Sequence, residues 1–229
     1  MDRRYIGRNF HNLMLDMGED YFLETKDGEE YVGKISIVTK TASSYMMAER
    51  EYLFNGTATF PNVESQMDFR GCYFTRKTNP SMTYILVSTI PKDTTEYVAE
   101  IYAVGCNTTV SLAYEKEVTT ERGNRKTIPE IYAENVAVYW DSTLQKQRRS
   151  SDGNFDQSLY YMQIPAKFNL AQDEIVIRKM PQYNNETKQN EWVDTRFRVE
   201  AIDVSMISPY IDGAASGILD VQLSLDTRG

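Results

Sequence analysis

Few residues in this chain are placed for chemistry. One histidine, His11, and two cysteines, Cys72 and Cys106, are scattered over 229 residues. A Ser–His or Cys–His pair needs base and nucleophile within hydrogen-bond reach, and nothing else in the sequence points at His11. A zinc site needs about four Cys, His or carboxylate ligands at close spacing; these three are too few and too dispersed. Asp152, Asn154 and Asp156 put oxygens at the first, third and fifth places of a calcium loop. Gln157 then stands where the loop needs glycine, and Gln163 where it needs a bidentate glutamate. The phosphate-loop and dinucleotide glycine patterns are absent, and Gly213-Ala-Ala-Ser-Gly217 has the wrong spacing for a nucleophile elbow. The expectation is a chain that is not an enzyme and carries no metal and no cofactor.

Charge narrows the partners. Against 25 Lys and Arg stand 33 Asp and Glu, a net charge of −8, so the surface does not coat nucleic acid non-specifically. One polar segment, 144–158, is nevertheless locally basic at Lys146, Arg148 and Arg149. These three are candidates for DNA or partner contact. A second polar segment, 180–191, is rich in amides, and Tyr183 and Trp192 in and beside it are candidates for assembly contacts. Both segments are longer than the usual hairpin connection of about 2–5 residues, so both read as loops. Trp140, Trp192 and Tyr183 also support an alternative, stacking platforms for sugar rings.

The elements that would position such residues are mostly strands. Only the start has helical spacing: Ile6, Phe10, Leu13, Met14 and Met17 share one face, Asp2 could cap it and Gly18 end it. This is a helix lying on the core or an arm docked on a neighbouring subunit. After Gly18 the period drops to two, through Tyr31–Val38, Thr57–Phe60, Cys72–Arg76, Thr83–Ile90, Tyr97–Val104 and Thr108–Tyr114. It continues through Asn135–Trp140, Leu159–Ile164, Glu174–Arg178, Arg196–Ile202 and Ile218–Leu225. Tyr, Thr, Val and Ile, which fit a pleated surface, dominate these runs. The fold class is mainly β: one or two small β-barrel or sandwich units with an N-terminal α-helix. Both cysteines are expected as reduced core residues. No secretory run opens the chain and no stretch approaches the ~18 apolar residues of a membrane span, so a cytoplasmic protein with no membrane partner is expected.

The two halves echo each other. Thr57–Phe60, Cys72–Lys77, Tyr84–Ile90 and Val98–Val104 follow in the same order as Ile164–Phe168, Glu174–Lys179, Phe197–Ile202 and Ile218–Leu223. The second member of each series ends in Arg-Lys. This suggests a duplication with its boundary in the polar turn near Arg122–Lys126, and hence an arm over 1–18 and β-rich units over 19–124 and 125–229.

The C-terminal stretch carries a resemblance. "IVIRK", a variable loop, "FRVEAIDVSM" and "GILDVQLSLDT", within Phe168–Thr227, resemble the head-closure and head-completion proteins of tailed bacteriophages, the stopper and adaptor proteins of the head-to-tail connector. About a quarter of the chain is covered, by patterns of residue class rather than by fixed residues. The family's usual member is shorter, so the N-terminal helix and first half depart from it unless that half is a second barrel. The resemblance implies a structural virion protein, assembled in the bacterial cytoplasm and located in the neck. It implies a homo-oligomeric ring that joins portal or adaptor protein to tail proteins, with double-stranded DNA passing through its lumen. No catalytic residue is carried over. Other readings are a tail terminator or baseplate component, and a β-sandwich carbohydrate-binding module.

Overall fold

A computed structural model describes residues 12–24, 30–37, 53–60, 69–91, 98–119, 125–142, 160–204, 207–208 and 216–226. The chain is mainly β, with thirteen strands among the described residues and a short N-terminal helix. Residues 12–17 are helical; the rest of the expected helix, including His11, lies outside the described residues. Gly18 ends it, donating its N–H to the Met14 carbonyl at 2.9 Å, and a side chain there would strike that oxygen. Met14 is buried, but Leu13 and Met17 are exposed, so the expected apolar face is only partly covered.

The first six strands form one closed barrel. They are β1 Glu19–Glu24, β2 Glu30–Ile37, β3 Leu53–Thr59, β4 Tyr73–Arg76, β5 Asn79–Pro91 and β6 Val98–Gly105. Around the barrel their order is β1-β2-β3-β6-β5-β4, and β4 closes on β1 through Tyr21↔Arg76 and Leu23↔Phe74. Alternation sends Tyr21, Leu23, Ile35, Phe74, Tyr84, Leu86 and Ile101 inward. Phe74 stacks on Tyr84 with centroids 5.1 Å apart, and Tyr21 meets Phe74 edge-on at 5.9 Å, the offset and T-shaped arrangements aromatic rings prefer. The buried Tyr21 hydroxyl donates to the Thr59 carbonyl at 2.5 Å.

The remaining strands are β7 Thr108–Thr119, β8 Arg125–Ser142, β9 Tyr160–Pro165, β10 Ile175–Asn184, β11 Gln189–Asp203, β12 Ile207–Ser208 and β13 Ser216–Leu225. Their order is β11-β10-β7-β8-β9-β13-β12, and an extra pairing of β11 with β13 closes six of them on themselves. With β12 set aside, that circuit is β7-β8-β9-β13-β11-β10. It has the same order as the first barrel, with β3, β4, β5 and β6 answering to β9, β10, β11 and β13. Those are the four pairs of segments whose sequence echoes. The two closing strands of the chain are partners: Phe197↔Leu225 through Asp203↔Asp220. The stretch between them holds β12, paired to β13 at Ile207↔Gly217.

The chain divides into two compact units: Met1–Asn107 with Ile164–Phe168 and Ser205–Ile218, and Thr108–Gln163 with Asn169–Val204 and Leu219–Gly229. The expected boundary between 124 and 125 falls inside the second of these units. β7 and β8 are paired as far as Thr119↔Arg125, so the strands on both sides of that expected boundary belong to one hairpin-paired couple. Cys72 is buried and Cys106 half-buried, both free thiols, and burial pushes the Cys106 thiol up to about 12. In the first unit Gly71 has φ +78°, and a Cβ there would lie 2.1 Å from the Gly217 carbonyl oxygen. Only glycine tolerates both that backbone and that approach.

Candidate interaction surface

Two hairpins of the second barrel outgrow it. β10 pairs with β7 only at Ile175↔Ala113 through Ile177↔Ser111. From there β7 runs on to Thr119 with β8 as its one partner among the described residues, and β10 runs on to Asn184 with β11 as its partner. Because β7 and β10 are antiparallel, the two hairpins project from opposite ends of the barrel. The segment 180–191, expected as a loop, is thus corrected to a hairpin whose connection is only residues 185–188. The turn is built by Asn184: its Oδ1 accepts from the N–H of Glu186 at 2.9 Å and of Thr187 at 3.4 Å. Its Nδ2 and the Thr187 hydroxyl both donate to Glu191 Oε1. Lys188, at φ 53°, completes the reversal in the left-handed region.

Regular pairing fixes which face each residue takes. Val176 and Phe197 oppose each other in the core. Two residues along, Arg178 opposes Thr195, then Met180 opposes Val193 and Gln182 opposes Glu191, all on the face continuous with the barrel interior. The other face carries Pro181 opposite Trp192, and Tyr183 opposite Asn190. Trp192 and Tyr183 are both largely exposed. A hollow of about 490 Å3 is lined by Gln182, Tyr183, Asn184, Asn185, Glu186, Glu191 and Val193. Trp192 is not among its walls. Trp140, expected as a third stacking platform, is corrected to a core residue: it is buried and packs edge-on to Phe197 at 4.9 Å.

The β7–β8 arm is built differently. Tyr114 and Val118 share a face with Ile128, Tyr132 stacks on Tyr114 at 6.3 Å, and all four are partly exposed. Its root is pinned. The buried Arg198 binds Glu115 Oε1 at 2.5 Å, Asp173 Oδ1 at 3.6 Å and Asp226 Oδ1 at 4.0 Å. Burial acts to lower the pKa of Arg198; hydrogen bonding to Glu115 and the three carboxylate charges outweigh it and raise it. The Tyr132 hydroxyl donates to Glu174 at 2.7 Å, and Lys116 pairs with Glu130 at 2.7 Å.

Lys146, Arg148 and Arg149 lie outside the described residues, as do Asp152, Asn154 and Asp156. Among the described residues no cluster of three or more His, Cys, Asp or Glu is placed to hold a metal ion, and no helix is long and apolar enough to cross a membrane. Two arginines, Arg178 and Arg198, were not singled out by sequence; each sits in an ordinary strand and gains its setting from strands far away in the chain.

No protein-family model and no curated protein matches the chain. A solved structure of MrkH, described as a c-di-GMP-dependent transcription regulatory factor, aligns over 99% of this chain and 84% of its own. Identity is 7% and the TM-score 0.22, a likeness that carries no argument about function.

Proposed function

We propose that the protein is a non-enzymatic structural subunit of a tailed-phage neck, forming a ring that joins portal to tail and helps retain packaged DNA. The sequence pattern of β10, β11 and β13 supports this reading. The observation that carries it is the pair of hairpins reaching from opposite ends of the second barrel. A subunit with contact elements at both ends suits a heterologous, head-to-tail assembly, which closes into a ring when the rotation allows. The net charge of −8 would let DNA pass through a lumen without sticking.

Micrographs of particles assembled without this protein test the reading. Filled heads lacking tails, or heads that lose their DNA, are expected; intact tailed particles would overturn it. Position of the reading frame among the morphogenesis genes separates this from a tail terminator or baseplate component. The exposed Trp192 favours one other reading, a carbohydrate-binding module. Saturable glycan binding abolished by Trp192→Ala would favour that reading over the neck.

A further inference from the structure

The β10–β11 hairpin leaves its barrel with one edge open. Arg196 gives its carbonyl to the Asp226 N–H at 2.9 Å, on the β13 side, while Val199 bonds Asp173 and Glu174 on the β10 side. The register between these strands is unbroken, so alternation fixes the rest. Glu191, Val193 and Thr195 turn their N–H and C=O groups to β10; Asn190, Trp192 and Asp194 turn theirs away from it. Among the described residues no strand meets those three, because β13 pairs with β11 only from Phe197 onward. The opposite edge of the hairpin is guarded. Its outward backbone belongs to Lys179, Pro181 and Tyr183, and Pro181 has no N–H to donate. The inward face is furnished as well: Arg178 lies over the Trp140 ring, 4.8 Å from its centroid, and donates to Thr108 and Met180.

An open edge is a template for another strand, and the edge of β11 fits itself. A two-fold axis at Trp192 sets Asn190 opposite the partner's Asp194 and Trp192 opposite the partner's Trp192. It also sets Glu191 opposite the partner's Val193. Each outward-turned residue then exchanges both its backbone bonds, and no like charges are opposed within residues 189–195. The two indoles, 69% exposed in a single copy, come side by side on the outward face. Pro181 of each copy lies beside them and Tyr183 one diagonal away. The partner's Gln189 falls opposite Thr195, so its turn stops at the rim where Asp226 holds Arg196. Neighbouring registers fail. An axis at Val193 sets Asn190 against Arg196, whose carbonyl is already taken. Axes at Glu191 or Asp194 oppose like charges, and one at Asn190 leaves Asp194 against the partner's turn. An axis between two residues sets outward-turned backbone against backbone that faces β10.

From this we infer that two copies of the chain pair edge to edge through β11, an isologous contact centred on Trp192 that joins their hairpins into one four-stranded sheet. The contact needs neither portal nor ring, so it goes beyond the neck reading. Sedimentation velocity over a concentration series tests it. The wild-type chain should show a monomer–dimer equilibrium, and the dimer should show the exciton-coupled circular dichroism of adjacent indoles. Trp192→Pro removes the central N–H and both rings without costing a bond to β10. It should weaken the dimer by about a hundredfold or more. Asn190 decides the register. Asn190→Asp creates two like-charged pairs across the axis and should weaken the dimer; Asn190→Lys faces the partner's Asp194 and should strengthen it. Each shift should be about threefold to tenfold, with the barrel's own unfolding unchanged. A wild-type chain that stays monomeric at about 1 mM, where even weak specific contacts register, would overturn the inference. So would a dimer indifferent to Trp192→Pro, or one that the two Asn190 variants shift in the same direction. A monomer that binds glycan saturably through Trp192 would assign the strand to sugar rings and overturn it too. The neck reading stands or falls separately, on the particle micrographs.

Discussion

The two barrels share one strand order and differ in what they do with their hairpins. In the first barrel β1 stops at Glu24, one residue beyond its last partner on β4, and β4 turns back at Lys77. In the second, the equivalent strands β7 and β10 continue as arms. The short β4–β5 turn is tied to β1: Arg76 Nε donates to Glu19 at 2.6 Å, the Thr78 hydroxyl bonds the same carboxylate, and Lys77 and Lys34 both pair with Asp20. The corresponding hairpin of the second barrel carries Trp192 and Tyr183 into solvent. One circuit thus forms a closed block in one place and carries projecting, exposed hairpins in the other. Specialisation lies in the connections, which tolerate length changes that a barrel wall does not.

The comparison breaks most severely if the cores are cut. Phe74→Ala and Phe197→Ala should each cost about 3–5 kcal/mol. Hydrogen exchange should rise first in the barrel that holds the mutated ring; a uniform rise across both would mean that the chain has one core rather than two. Gly71→Ala should cost about 2–4 kcal/mol in urea denaturation, because it adds a clash to a strained backbone. A cost under roughly 0.5 kcal/mol, the size of an ordinary surface change, would show that Gly71 and Gly217 do not meet. Replacing residues 116–128 by an Asn-Gly turn, which keeps Glu115 on the buried Arg198, should change stability by less than about 1 kcal/mol, since a ribbon outside a barrel buries little, while abolishing association into a ring. Unfolding of the second barrel by this change would make the arm part of its core.

The smallest effect concerns acid. Hydrogen bonds from Lys34 and Lys77 hold the Asp20 carboxyl at about 2, below its ordinary 3.8. A depressed carboxyl stabilises the fold above its unfolded pKa, and that contribution fades as pH falls from about 4 through about 2. Asp20→Asn should flatten the acid limb of the stability curve in that window only. An acid limb unchanged by the substitution would show that the turn of the first barrel is not held by this cluster.

What the sequence made legible follows from the same contrast. Strands inside a barrel wall alternate, so β5, β6, β11 and β13 could be read directly, and so could the order in which the halves correspond. The arms are wet on both faces. Gln182-Tyr183-Asn184 and Gln189-Asn190-Glu191-Trp192 have no buried side to impose a period, so they read as loop although they are strand. The polar stretch near Arg122–Lys126 suggests a boundary because polarity marks a hairpin end and a domain boundary alike. β1, Glu19–Glu24, was missed because its two inward residues, Tyr21 and Leu23, are too few to set a pattern. Arg178 carries no local signal at all. Its difference from Arg198 is decided by Trp140 in one case and by Glu115, Asp173 and Asp226 in the other, all remote in sequence.

The strand β13 begins with Ser216–Ile218 in one unit and ends in the other, and β9 passes from one unit to the other at Gln163 and Ile164. During synthesis, domains generally fold in order as they leave the ribosome, at about 5–20 residues per second. The first unit cannot follow that order. The strands of its barrel are complete by Gly105, yet Gly71 waits for Gly217, so the part of the molecule made first is among the last to be finished. A nascent chain stalled before Ser205 would hold a closed barrel whose Arg70 and Gly71 still lack the Gly217 backbone, and release of residues 205–226 would complete both units in one step.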